Sequence, residues 1–349
     1  MFLFIIIALL FILYLKPHQR YHIFQSEKRL RNIEVHNFSG PKTKTQWWYF
    51  DCLSEDGSVL AFMFTPYQWW SEEKWDNGEK SLFYISYRNN EGHVLKDKAV
   101  FDSSKVKFTE NSIKSPFFEL YKMHGKKNRN YNIEVFLKKI KASIKIHSDL
   151  KPFSPFPTGR FDRFVSKYLI GFKGTAPDFQ YASYVPSGKM EWSLDVEGQK
   201  VQNTGLAYHE QGRFNGLANE MGQGWIWIHF VSERLNIFGK PGIFLFVQMD
   251  GKVLFDGITI LRKCQLSNEK YSEDQKDTLI NGSLHYYSKS MLFEIVPLGL
   301  PSQVLLSVRS YNGRKTWASV VQPSKINFRY KDKEFSEEGN LILETCKTG

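Results

Sequence analysis

A chain of 349 residues with 42% apolar and 24% charged side chains has the composition of a globular protein, which excludes a disordered or low-complexity chain. The formal net charge of +11 is spread along the sequence rather than gathered in one tail or helix. With no recognition motif beside it, this disfavours nucleic-acid binding relative to solvated or membrane-facing charge. Cys52, Cys264 and Cys346 are odd in number and far apart, so they indicate neither a zinc pair nor a disulfide framework.

The amino terminus stands apart from the rest. Residues 2–15 read FLFIIIALLFILYL, a run about 21 Å long as a helix against a hydrocarbon core of roughly 30 Å. No lysine or arginine precedes it and no small-residue cleavage site follows. Lys16, His18 and Arg20 form the positive flank that tends to stay cytoplasmic. The expectation is an apolar anchor helix over residues 1–16, with a cleaved signal as its rival, and a connector over 17–36. An anchored chain would sit on a membrane surface, here the cytoplasmic face.

From residue 37 the sequence becomes a succession of strand-like runs, in keeping with an aromatic content of 16%. WWYFDCL and SVLAFMF flank Asp56-Gly57 and predict a hairpin. SLFYISYR, EGHVLKDKAVF and KVKFTEN continue the pattern, and FLKKIKASIKIH predicts a strand with its lysines mostly on the outer face. One helical insertion is expected over residues 161–172, after the proline-rich LKPFSPFP. ISYRNNEGHVLKD and FLFVQMDGKVLFD share one hairpin grammar, each preceded by an aromatic strand, Trp47 to Phe50 and Trp225 to Trp227. SGKMEWSLDVEG would close a first unit as EGNLILETC closes a second. The expected division is therefore into residues 37–200 and 201–349, all-β, against the plainer reading that any two β-meanders share such hairpins.

Period-2 alternation puts Trp47, Tyr49 and Asp51 on one face of their strand and Trp48, Phe50 and Cys52 on the other. It likewise groups Trp225, Trp227 and His229. Such faces are either plain core or the wall of a ligand site. The tryptophans of WWSEEKW, residues 69–75, could cap a pocket, enter a membrane interface or pack across a barrel mouth. The strongest chemistry lies in GLAYHEQGRFNG, where Tyr208, His209 and Glu210 stand side by side. An imidazole transfers protons near neutral pH, and a carboxyl group in apolar surroundings serves as an acid. The pair suits protonation of a carbon–carbon double bond, with flanking aromatics stabilising the cation. The rival reading is a polar interdomain loop. No metal site, nucleophile elbow or phosphate-cradling loop is present as a motif, so neither metal nor cofactor is expected.

WWYFDCLSEDGSVLAFMFT resembles the opening strand pair of the hydroxyneurosporene synthase (carotenoid 1,2-hydratase) superfamily, which includes AttH-type proteins. YVPSGKMEWSLDVEGQKVQNTGLAYHEQGRFNG and GWIWIHF are similar to the passages that follow in that family. The resemblance implies two tandem lipocalin-like β-barrels with an apolar pocket at or near their interface. It implies an isoprenoid or polyene ligand and hydration, cyclisation or isomerisation, with His209 and Glu210 as proton donor and acceptor beside Tyr208. Trp48, Trp225 and Trp227 would shape the pocket, with Tyr49, Asp51, Arg213 and His229 as further ligand-binding residues. The family motif reads Tyr-His-Asp-His-Asn-Trp-Gly; here Glu210 replaces the aspartate, and Gln211-Gly212-Arg213-Phe214 stand in place of His-Asn-Trp-Gly. The retained Tyr208-His209 pair favours an enzyme, and the replaced residues favour a non-catalytic carrier or sensor of an apolar small molecule.

Overall fold

A computed structural model describes residues 45–66, 80–123, 128–154, 180–214, 224–240, 244–258, 264–267, 283–287, 291–299, 305–309, 315–330 and 333–348. The expected anchor over 1–16, the connector over 17–36, the tryptophan cluster of 69–75 and the helical insertion of 161–172 lie outside them. The described residues are almost entirely β, with one 3₁₀ turn at Ser103–Lys105. The first run of strands is β1 (Thr45–Ser54), β2 (Val59–Thr65), β3 (Lys80–Arg88), β4 (Val94–Asp102), β5 (Lys107–Phe108), β6 (Ser112–Lys114), β7 (Phe118–Lys122), β8 (Arg129–Phe136), β9 (Ile140–Ser148), β10 (Gln180–Val196) and β11 (Gln199–Phe214). The second is β12 (Gly224–Val231), β13 (Leu235–Lys240), β14 (Phe244–Met249), β15 (Lys252–Ile258), β16 (Cys264–Ser267), β17 (Ser283–Tyr287), β18 (Met291–Pro297), β19 (Leu306–Arg309), β20 (Lys315–Tyr330) and β21 (Lys333–Thr348).

The two runs make two antiparallel sheets of one design. In the first, β4-β3-β2-β1 is a meander whose inner strand β1 pairs with β11, which pairs with β10. In the second, β15-β14-β13-β12 is the same meander, and β12 pairs with β21, which pairs with β20. One hairpin turn repeats as well: Gly92, at φ +94°, closes β3–β4, as Gly251, at φ +74°, closes β14–β15. The expected division at 200/201 falls in the β10–β11 hairpin, and the change of sheet lies between Phe214 and Gly224. The segment from Gly205 to Phe214 is thus a strand of the first sheet, not a loop, paired with β1 along Thr45–Ser54.

Alternation decides which side chains are buried and where. On β9 every second residue is exposed, including Lys141 and Lys145, while Ile140, Ala142, Ile144 and Ile146 turn inward. Each sheet curls around its own apolar core. Trp48, Phe50, Phe62, Phe118, Ile133 and Ile144 fill the first, and Ile228, Phe230, Leu245, Ile295 and Phe328 the second. A third core joins the sheets, built from Tyr49, Met63, Tyr84 and Tyr208 of one and Trp227, Phe238, Phe246 and Ile342 of the other. Aromatic side chains bury large areas with preferred ring geometries, so this contact is both strong and orienting; Tyr208 of the first sheet lies 4.6 Å from Phe238 of the second. The sheets meet through the outer faces of β1 and β11, which carry Tyr49, Asp51, Tyr208 and Glu210.

Candidate active site

Strand β11 divides the Tyr208-His209-Glu210 cluster. Tyr208 and Glu210 point into the core between the sheets, whereas His209 points into the core of the first sheet. Its ring lies parallel on Phe50, with centroids 3.7 Å apart and an interplanar angle of 1°, and Tyr131 meets it edge-on at 5.1 Å. Its Nδ1 donates to the Tyr49 carbonyl at 2.9 Å. The structure therefore does not bring His209 and Glu210 together. The same rule separates Trp48, in the core of the first sheet, from Tyr49 and Asp51, which face Trp227 and His229. Trp225 and Arg213 lie on β12 and β11, and their side chains are outside the described residues.

Glu210 is the centre of a buried polar network. Trp47 Nε1 donates to Oε1 at 2.9 Å. That hydrogen bond depends on the residue paired with Trp47, Gly212: a Cβ there would lie 2.0 Å from the indole ring. Tyr208 Oη lies 2.5 Å from Oε2, Tyr181 hydrogen-bonds the same oxygen, and the two phenol oxygens are 2.6 Å apart. Three oxygens thus form a triangle with three hydrogen-bonded edges, and two phenols bring only two hydrogens. The triangle is complete when the carboxyl group supplies the third, that is, when Glu210 is a neutral acid.

The electrostatics run in the same direction. Burial pushes the Glu210 carboxyl up, against the pull of its hydrogen bonds from Tyr181, Tyr208 and Trp47, and the Asp51 charge adds to the rise. Burial is the first cause that raises both Tyr181 and Tyr208 well above the usual phenol range, and any charge on Glu210 would add to the rise, so both remain donors. Glu210 keeps 8% of its surface exposed while Tyr208 and Asp51 keep none, and its indole partner Trp47 is only half-buried. This end of the network is the one nearest the surface.

The second sheet supplies the opposite wall. Trp227 lies 5.3 Å from Tyr208 and 5.9 Å from Tyr49, in the latter case edge-on. His229 crosses the interface: Nδ1 meets Asp51 Oδ1 at 2.7 Å and Nε2 meets Asn236 Oδ1 at 3.1 Å, all three residues being buried. Asn236 Nδ2 donates in turn to the Pro186 carbonyl at 3.3 Å, tying β13 back to β10. Among the described residues no group of three or more His, Cys, Asp or Glu could hold a metal ion.

A carboxyl group raised by burial and hydrogen-bonded to two phenols and an indole is chemically suited to act as an acid whose conjugate base those donors hold. Sequence reasoning had not assigned site roles to Trp47, Tyr181 or Asn236. The alternation did place Trp47 on one face with Tyr49 and Asp51, but its pairing with Gly212 and its bond to Glu210 had no signal in the sequence. Tyr181 and Asn236 had none, because their partners are 29 and 7 residues away along the chain and on other strands.

No protein-family model and no curated protein matches the sequence. Solved structures do match. An AttH protein of Nitrosomonas europaea superposes with a TM-score of 0.57 at 11% identity, covering 88% of this chain and 96% of its own. CghA, solved with Sch210972, gives 0.53 at 9% identity over 88% and 89%. Kievitone hydratase of Nectria haematococca gives 0.51 at 12% identity over 88% and 92%. At such identities the likeness is one of fold, and it groups this two-sheet architecture with that of AttH-type and hydratase proteins.

Proposed function

We propose that the chain is a hydratase-like member of the AttH and hydroxyneurosporene synthase superfamily. In this reading its sheets are two tandem lipocalin-like barrels, and the space between them takes an apolar isoprenoid or polyene. Glu210 donates a proton to a carbon–carbon double bond of that ligand, starting hydration, cyclisation or isomerisation. The observation that carries this is the closed oxygen triangle, which holds Glu210 as a neutral acid between two phenols and an indole. Tyr208, Tyr49 and Trp227 present ring faces and edges to a cation forming beside it. The repeated strand order, the fold likeness to kievitone hydratase and the AttH protein, and the Tyr-His-acid motif support the reading. Residues 1–16 would anchor the protein to a membrane, on its cytoplasmic face, where such ligands partition.

The test is to purify the full-length protein in detergent, identify the apolar compound it retains by mass spectrometry, and follow that compound in deuterated water. Native protein is expected to convert it with deuterium incorporation, and Glu210→Gln to bind it unchanged. Retention without conversion by the native protein would establish the carrier reading instead, which the packed, stacked His209 favours.

A further inference from the structure

With His209 turned into the first sheet, the accepting half of the acid/base chemistry has to come from elsewhere in the site. Asp51 has the required placement. It is the cross-strand partner of Tyr208, as Tyr49 is of Glu210. Asp51 and Glu210 are therefore diagonal neighbours on one face, a relation that puts residues about 7–8 Å apart. That spacing suits two carboxyl groups with a water and a reacting carbon between them.

The hydrogen bonds of Asp51 assign the roles. Oδ1 is held by His229 Nδ1 at 2.7 Å, while Oδ2, in a fully buried residue, has no hydrogen-bond partner. His229 is committed on its far side as well. The Asn236 amide nitrogen donates to Pro186, which turns the Asn236 oxygen to Nε2 and makes that nitrogen a donor. In a familiar Asp–His pair the carboxylate orients and the imidazole reacts. Here the imidazole has no nitrogen left to accept a proton, and the bare atom belongs to the carboxylate. Two more polar atoms of this face, the Tyr49 hydroxyl and Trp227 Nε1, are buried without a hydrogen-bond partner. Tyr49 lies beside Asp51 but outside hydrogen-bonding geometry. Two donors and one acceptor are the partners that a bound water requires.

We propose that Asp51 Oδ2 is the proton acceptor of the site in which Glu210 is the donor, with His229 and Asn236 as its positioning residues, and that it deprotonates a water held by Tyr49 and Trp227. The inference rests on the reading of Glu210 as the donor. The Glu210 O–H bond breaks as a C–H bond forms at one alkene carbon, and the π electrons leave a cation on its neighbour. The water oxygen bonds to that carbon and passes a proton to Asp51 Oδ2. One water is added and nothing is oxidised or reduced; before the next turnover Asp51 releases its proton to solvent and Glu210 takes one up from it.

The experiment uses full-length protein in detergent with geranylgeraniol as the probe, monitored for conversion and for deuterium uptake from deuterated water. Asp51→Asn is expected to lower kcat about 100-fold with KM little changed, and to retain deuterium uptake, because Glu210 still protonates the alkene. Glu210→Gln is expected to lose both. If Asp51→Asn melts below the assay temperature, Asp51→Glu replaces it, with a drop of about tenfold expected because the oxygen is displaced. His229→Gln is expected to lower kcat with KM little changed, a split that a merely structural role would not produce. In infrared difference spectra at neutral pH, Asp51→Asn should remove a carboxylate band and Glu210→Gln a carboxylic-acid carbonyl band. An inactive Glu210→Gln beside a fully active Asp51→Asn overturns this proposal alone. A native protein inert on the probe, or a fully active Glu210→Gln, overturns the donor reading and this proposal with it.

Discussion

The two sides of β11 are made from neighbouring residues and have opposite chemistry. On one side Tyr208 and Glu210 are hydrogen-bonded to each other and to Tyr181 and Trp47, and burial pushes the Glu210 carboxyl above its ordinary range. On the other, His209 lies flat on Phe50 and is fixed by the Tyr49 carbonyl, a packed aromatic residue with a polar tether. The difference teaches that adjacency in a strand separates residues rather than uniting them, because successive side chains point to opposite faces. A motif read as three neighbouring acid/base residues places two side chains between the sheets and the third in the core of the first sheet.

The comparison breaks most visibly at Glu210. Glu210→Gln keeps the shape and an oxygen for the phenols but cannot give up a proton, so conversion of the retained ligand should fall by about 10²–10⁴-fold, measured by single-turnover product formation. Next is Gly212→Ala. Its Cβ would drive Trp47 off its position, costing about 1–3 kcal/mol of overpacking, read from urea unfolding, and loss of the indole hydrogen bond should raise the Glu210 carboxyl further.

Titration sharpens the same contrast. The folded carboxyl of Glu210 lies above its ordinary range, so its contribution to stability is fully present below that range and is lost as pH rises through the folded value. Removing the carboxyl removes that loss. The stability of Glu210→Gln relative to native should therefore increase as pH rises from acid towards neutral, by about 1.4 kcal/mol for each unit of the shift, read from thermal unfolding by circular dichroism. The smallest effect belongs to the other face. His209→Phe keeps the ring stack and forfeits the hydrogen bond to Tyr49, an expected loss of about 1 kcal/mol, with conversion unchanged. A loss of turnover as large as that of Glu210→Gln would show that the two sides of the strand are not chemically separate.

Much of this was legible in particular residues. Asp56-Gly57 and Asp250-Gly251 marked their hairpins because positive φ favours glycine and tolerates aspartate. The alternation of WWYFD and WIWIHF correctly grouped Tyr49 with Asp51 and Trp227 with His229. The helical rule was never in competition, since the apolar positions repeat every second residue. What stayed illegible was partner choice. Glu210 had no visible relation to Trp47, 163 residues earlier, nor His229 to Asp51, 178 residues earlier.

By itself the sequence determined the all-β class, the turns and the two faces of each strand, because these follow from local backbone sterics and a period of two. Only the tertiary structure decided that β1 pairs with β11, that the outer faces of the two sheets close on each other, and that Glu210 therefore sits among donors beside a bare Asp51 oxygen. Those outcomes depend on register and on the joint burial of aromatic faces far apart in the chain, and a one-residue slip would have exchanged Glu210 for His209 at the site.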